Sequence, residues 1–143
     1  MTTVVIASDH AGLPLKREVQ VELAKRGIDV LDLGVQDETS VDYPDQAHTL
    51  AEAINAGWAE IGVLVCGTGI GVSIAANRHP GIRAAVCHDV YTATMARAHN
   101  NANILAMGAR VVDPATAIAC LDVFLKTEFE GGRHTQRIAK LDR

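Results

Sequence analysis

Short runs of apolar, often β-branched residues alternate along this chain with segments whose apolar residues recur every three or four positions. No linker, repeat or low-complexity stretch separates them. That alternation constrains the fold more than any other feature. A strand buried on both faces reads as a continuous apolar run, whereas a helix packed on one face repeats its apolar residues at i, i+3 and i+4. The runs are TVVIAS (3–8), IDVLDL (28–33), IGVLV (61–65), GIRAAVC (81–87) and ANILAM (102–107). Between them, Leu15, Val19 and Leu23 share a helical face bounded by Pro14 and Gly27, and Ala47, Leu50, Ala51 and Ile54 repeat the pattern between Pro44 and Gly57. Further helices are expected at about 70–78 and 89–98, and from the capping pair Asp113–Pro114 to about Lys126. Such units predict an α/β protein, a three-layer α/β/α sandwich around a five-stranded, mainly parallel, Rossmann-like sheet. A single domain is expected over 1–143, with a polar, basic tail at about 131–143.

Bulk properties remove several functions. A formal net charge of -4 and an aromatic content of 3% supply neither the clustered cations nor the stacking rings of a nucleic-acid surface. The opening MTTVVIASDH has no basic segment and reaches Asp9 too soon for a signal peptide. The longest uncharged run, Ile61 to Asn77, is shorter than the ~20 apolar residues of a membrane span. Cys66, Cys87 and Cys120 form no C-x-x-C pair and no zinc-like spacing, so a reduced, cytoplasmic protein is expected.

In parallel sheets ligands bind outside the carboxyl ends of the strands. That rule gathers Asp9–His10, Cys66–Gly71 and Cys87–His88 from distant parts of the sequence. The glycines Gly67, Gly69 and Gly71 match neither the dinucleotide fingerprint nor a P-loop, and alone they read as a tight turn. The preceding thiol changes that reading. Free N–H groups at a helix start hold an anion and favour the thiolate form of a nearby cysteine. A cysteine phosphatase would need Arg six residues after the thiol, where Val72 stands. Cys87 and Cys120 sit in apolar segments and read as core, and His48, His79 and His88 as structural. Asp9 suits a turn cap or a substrate ligand equally, and His99 a helix C-terminus or a proton-transfer group. Arg133 and Arg137, four apart with His134 alongside, form a solvated basic face or a phosphate clamp, to which Arg110 adds a third guanidinium.

Taken together, SDHAG, DYPD, VCGTGIGVSIAANR, GIRA, RAHNNANILAMGAR and EGGRHTQRI resemble the B-type ribose-5-phosphate isomerases, whose family also holds allose- and galactose-6-phosphate isomerases. The likeness runs through nearly the whole chain, and the Cys-Gly-Thr-Gly loop joined to the terminal Gly-Gly-Arg-His is its specific part. It implies strand order 2-1-3-5-4, a dimer or dimer of dimers with active sites at the subunit interface, and no metal or organic cofactor. It also implies roles: Cys66 as the base between C1 and C2, supported by Thr68, with the N–H groups of Gly67, Thr68, Gly69, Ile70 and Gly71 on the enediolate oxygen. His99 then opens the furanose ring, Asp9 and Asn100 hold the sugar, Tyr43 lines the site, and His10, Arg110, Arg133 and Arg137 bind phosphate. A second branch of the family uses a Glu base, but Val72–Ser73 occupies that region here. The expected reaction is ribose 5-phosphate to ribulose 5-phosphate; the alternatives are the same chemistry on a six-carbon sugar phosphate and a non-catalytic sugar-phosphate-binding module.

Overall fold

The computed structural model describes residues 2–142. Five strands, β1 (Thr3–Ser8), β2 (Asp29–Asp32), β3 (Ile61–Cys66), β4 (Ala84–Val86) and β5 (Ile104–Gly108), pair throughout in parallel in the order β2-β1-β3-β5-β4. Helices α1 (Leu13–Lys25), α4 (Val90–Ala98) and α5 (Pro114–Lys126) cover one face, where Val19, Leu23, Ala96, Leu121 and Phe124 close on the sheet. On the other face α2 (Tyr43–Asn55) and α3 (Ile70–Ala76) bring Ala47, Leu50, Val72 and Ala76 against Val5, Leu64 and Ile104. Two aliphatic cores therefore sandwich one sheet, and the three-layer fold is the expected one.

The boundaries have local causes. Asp89 and Asp113 cap α4 and α5 through the N–H groups of Thr92 and Thr116, bonds that hold both carboxyls below their ordinary pKa. The fourth strand is only three residues long, because the Arg83 N–H is taken by the Asn103 side chain before regular pairing begins. Nor is the C-terminal segment a free tail. Residues Arg133–Leu141 form α6, which buries His134 and Ile138 while leaving Arg133 and Arg137 exposed. The final residue of the expected tail, Arg143, lies outside the described residues, as does Met1.

Two consequences position chemistry. Strand order reverses between β1 and β3, so the loops after these neighbouring strands diverge and leave a crevice at their carboxyl ends, the place where ligands enter such sheets. Each crossover helix runs against its strands. The nine-residue α4 starts at the carboxyl edge with Asp89 and ends about 13 Å away, at the amino edge, with His99 as its C-cap. Glu130 and α6 follow α5 to that same amino edge, where the Glu130 N–H donates to the Ala98 carbonyl at 3.0 Å and Arg83 meets Asp142 at 3.0 Å. No described helix is long and apolar enough to cross a membrane.

Candidate active site

Cys66 is the last residue of β3, and the loop after it turns at once into α3. That turn needs Gly69, whose φ of +79° is the left-handed conformation that glycine adopts without a Cβ penalty. The turned backbone aims the Gly69 N–H at the Cys66 sulfur, at 3.1 Å, an arrangement that stabilises negative charge on it. α3 is shorter than the sequence pattern suggests, stopping at Ala76 rather than Arg78, so this direct N–H matters more than the helix as a whole. Thr68 folds back locally, its hydroxyl accepting the Ile70 N–H at 3.2 Å.

The crevice beyond the sulfur, about 440 Å³, is lined by Asp9, His10, Ala11, Tyr43, Cys66, Gly67, Thr68, Ile70, Gly71, Ile74 and Arg110. Each wall has a sequence reason. Asp9, 6% exposed, is pinned by the Gly12 N–H at 2.9 Å, so the turn-cap reading and the cleft position hold together. His10 accepts the Val41 N–H on Nδ1 at 3.2 Å, which leaves Nε2 as the donor of the neutral ring. Tyr43 opens α2 beside Pro44, and its ring lies where a Cβ on Gly71 would come within 2.3 Å of Cε1, so any side chain at 71 would have to displace the ring. Arg110 arches over Gly67, anchored through its own N–H to the Gly67 carbonyl at 3.0 Å.

Not every expected residue is here. His99, Asn100, Arg133 and Arg137 lie at the amino edge, on the far side of the sheet from their own chain's Cys66. His99 stacks on His134 with ring centroids 4.2 Å apart and faces Glu130, which opens the EGGRHTQRI motif but was given no role by the sequence. His134 is held below the usual histidine range by burial first and then by the neighbouring charges of His99, Arg133 and Arg137, which outweigh Glu130. His88, gathered to the carboxyl edge by the sequence, lies at that edge but does not line the cleft: its Nε2 accepts the N–H of Gly108, the last residue of β5, at 3.0 Å. His48 and His79 pair with each other at 2.6 Å. Cys87 is pushed up to about 11 by burial and Cys120 is raised for the same reason, so both stay thiols. Ala11 and Ile74 line the cleft without any chemical signal that a sequence could carry.

A larger cavity, about 920 Å³, opens at the amino edge among Glu60, Arg83, Arg97, Asn103 and Phe124. Its arginines already have partners, Arg83 in Asp142 and the Asn100 and Asn101 carbonyls, Arg97 in the Ala102 carbonyl and the Phe124 ring, although the buried Arg97 Nε has none among the described residues. It offers no nucleophile, and size does not select it over the cysteine crevice.

The chain's similarities to known proteins are extensive. The ribose/galactose isomerase family model matches residues 4–141. The structure of Clostridium thermocellum ribose-5-phosphate isomerase B superposes with a TM-score of 0.97 at 51% identity, covering 98% of this chain and 95% of that one. The ribose-5-phosphate isomerase B of Escherichia coli K12 is 44% identical over 138 residues, 96% of this chain and 93% of the relative. The D-erythrulose-4-phosphate isomerase of Pectobacterium atrosepticum is 43% identical over 143 residues, 99% and 93% of the two chains.

Proposed function

The chain belongs to the ribose/galactose isomerase family, and from that premise we propose how its two edges divide the work of a sugar-phosphate isomerase. The protein is an aldose–ketose isomerase of a pentose phosphate, converting ribose 5-phosphate and ribulose 5-phosphate into one another. One observation carries the mechanism: the Cys66 sulfur stands at the floor of the switch-point crevice with the Gly69 N–H on it at 3.1 Å.

In the open-chain aldose, the Cys66 thiolate takes the C2 proton and leaves an enediolate. The loop N–H groups not already taken by the Cys66 sulfur and the Thr68 hydroxyl hold the negative O1, the O2 proton passes to O1, and the Cys66 thiol returns its proton to C1 to give the ketose. The donors are fixed by the backbone before substrate arrives, so little reorganisation accompanies the developing charge. Thr68 supports the loop, Asp9 and Tyr43 take sugar hydroxyls, and His10 with Arg110 receive phosphate oxygens. Ring opening and the rest of the clamp come from a second copy. The partner subunit's His99, Asn100, Arg133 and Arg137 enter the crevice, because their counterparts in the same chain sit on the opposite edge of the sheet. The exposed Ile70 and Ile74 at the crevice rim, 54% and 61% exposed, are the apolar surface such a copy covers. A homodimer, alone or paired into a tetramer, is therefore the working unit. No metal or organic cofactor takes part in these steps. The three unpaired, buried cysteines fit a reducing compartment such as the cytoplasm.

Cys66→Ser tests the base. The change is nearly isosteric but offers a hydroxyl that is hardly ionised, so turnover should fall by at least ~10²-fold, the low end for a general base, while the fold persists. Turnover near that of the wild type in a folded Cys66→Ser protein would remove Cys66 from the mechanism. Assaying ribose 5-phosphate beside erythrulose 4-phosphate, allose 6-phosphate and galactose 6-phosphate tests the sugar, with kcat/KM expected highest for the pentose. A higher value for any of the others would reassign the substrate.

A further inference from the structure

Lys16 stands in the first turn of α1, at the carboxyl edge, with no exposed surface. Its ammonium donates to Asp32 Oδ1 at 2.7 Å and to the Val35 carbonyl at 2.5 Å. Asp32 Oδ1 also accepts the Gly34 N–H at 2.9 Å, and its other oxygen takes the Gln20 and Gln36 amides. The backbone of 34–35 is thus gripped on one side by α1 and β2. On its other side it pairs with the last residue of β1. The Ser8 N–H donates to the Gly34 carbonyl at 2.8 Å, and the Val35 N–H to the Ser8 carbonyl at 3.0 Å. Ser8 is fully buried and its hydroxyl has no partner among the described residues, so backbone bonds alone tie this strand end to the 34–35 segment. Asp9 and His10 follow at once.

From Gln36 the chain runs as an exposed strap to α2. Arg17 holds the Gln36 carbonyl at 3.0 Å, and Asp37 makes a local turn with the Thr39 N–H. The next tie is the Val41 N–H, which donates to His10 Nδ1 at 3.2 Å, and Asp42 then starts α2 without a side-chain cap bond. The strap therefore rests on Lys16 and Asp32 at one end and on His10 at the other. We propose that Lys16 is a positioning residue for the isomerase: with Asp32 it holds the 34–41 strap against the end of β1 and so fixes the His10 ring, with Nδ1 on Val41 and Nε2–H left for the substrate's phosphate. The role rests on the assignment of His10 to that phosphate. A buried pair of this kind adds little net stability, because desolvation of the two charges offsets their attraction and replacing both is often harmless. What it supplies is direction, one ammonium donating to Asp32 and the Val35 carbonyl together, which an apolar contact cannot do. The Cys66 loop is tied separately to the turn after β5, by the Ala109 N–H on the Cys66 carbonyl at 2.8 Å and the Arg110 N–H on that of Gly67. Loss of Lys16 therefore falls on phosphate binding and not on the base.

The test compares Lys16→Met with the double variant Lys16→Met/Asp32→Asn in the assembled enzyme. KM for ribose 5-phosphate should rise roughly ten-fold in both, as for the loss of one charge-assisted hydrogen bond, while kcat changes by less than about three-fold. Iodoacetamide should alkylate Cys66 at the wild-type rate in both. Denaturant unfolding separates positioning from stability: the single variant strands the Asp32 carboxylate and is weakened, whereas the double variant regains stability and still keeps the raised KM. Where Lys16→Met does not fold, the double variant carries every readout. NMR of the ring nitrogens, in histidine-labelled protein without substrate and above the histidine titration range, reads the ring itself. The wild type should show His10 bare at Nδ1 and protonated at Nε2, and the variants a mixture of tautomers. His10→Asn tells the two readings apart: an unchanged KM there removes His10 from phosphate binding, and the tautomer then judges Lys16 alone. The wild-type tautomer in the double variant would overturn the proposal. So would a wild-type KM there while His10→Asn raises KM, or a Cys66 alkylation rate that moves together with KM.

Discussion

The two edges of the sheet are built by different means. At the carboxyl edge, short loops after β1, β3 and β5 press backbone against backbone, so that a Cβ on Gly12 would meet the Val65 carbonyl at 2.4 Å and one on Gly108 the Thr68 backbone at 2.6 Å. What this edge presents is fixed N–H groups and one thiol. At the amino edge, helix ends converge, and what they present is long side chains: His99 from the end of α4, Arg133, His134 and Arg137 from α6. The proposed mechanism draws on the preorganised anion cradle of the first and the acid–base and cationic groups of the second. The parallel fold puts them on opposite sides of a single chain, so a site that uses both must be shared between copies.

The comparison can be broken at the level of stability first. The carboxyl edge rests on Lys16, fully buried, whose ammonium reaches Asp32 at 2.7 Å and the Val35 carbonyl at 2.5 Å. Burial works against the Asp32 charge, yet hydrogen bonds from Lys16, the Gly34 N–H and Gln36 prevail and hold its carboxyl below the usual range. A depressed carboxyl contributes stability above its unfolded pKa and loses it as pH falls through the folded value, so this pair weakens only in acid. Asp32→Ala strands the ammonium and should cost roughly 3–5 kcal/mol in denaturant unfolding at neutral pH. A loss below about 1 kcal/mol would mean that the edge is not held by this pair. The middle effect is on binding. Arg137→Ala removes a charge-assisted contact to the phosphate, worth about 1.5–3 kcal/mol, and should raise KM roughly ten-fold or more while leaving unphosphorylated ribose, a poor substrate, unchanged. Equal loss for both sugars would return α6 to a structural role. The smallest effect belongs to the amino edge's own ion pair, Arg83 with Asp142, which is partly exposed on both sides. Asp142→Asn should cost less than about 1 kcal/mol.

Most of the fold was legible because its signal is local. Continuous apolar runs, Pro14, Pro44 and Asp113–Pro114 mark strands and helix starts within a few residues of one another. The cleft residues Asp9, His10, Cys66 and Gly67–Gly71 were legible because the parallel topology carries strand ends to one edge. Tyr43, at the first turn of α2, and Arg110, in the turn after β5, reach the same edge from positions that no periodicity marks, and only the family resemblance singled out Tyr43. Lys16 was not legible: a lysine between Leu15 and Val19 reads as the polar side of α1, and its burial depends on Asp32 from another element. Glu130 was missed for a similar reason, since its meaning lies in its distance to His99, 31 residues earlier in the chain. Nor could motif order reveal that His99 and Cys66 of one chain face away from each other, because that follows from the direction of α4.

The central claim is that one chain's Cys66 works with the other chain's His99. Differently tagged Cys66→Ala and His99→Ala proteins, each inactive alone, should be co-refolded, the mixed oligomer isolated through both tags, and ribose 5-phosphate turnover measured. A mixed dimer then holds one site with both residues intact and one with neither, so half the wild-type activity per dimer is expected, or roughly a quarter in the unfractionated random mixture. A mixed dimer that forms in good yield yet stays as inactive as its parents would contradict the account.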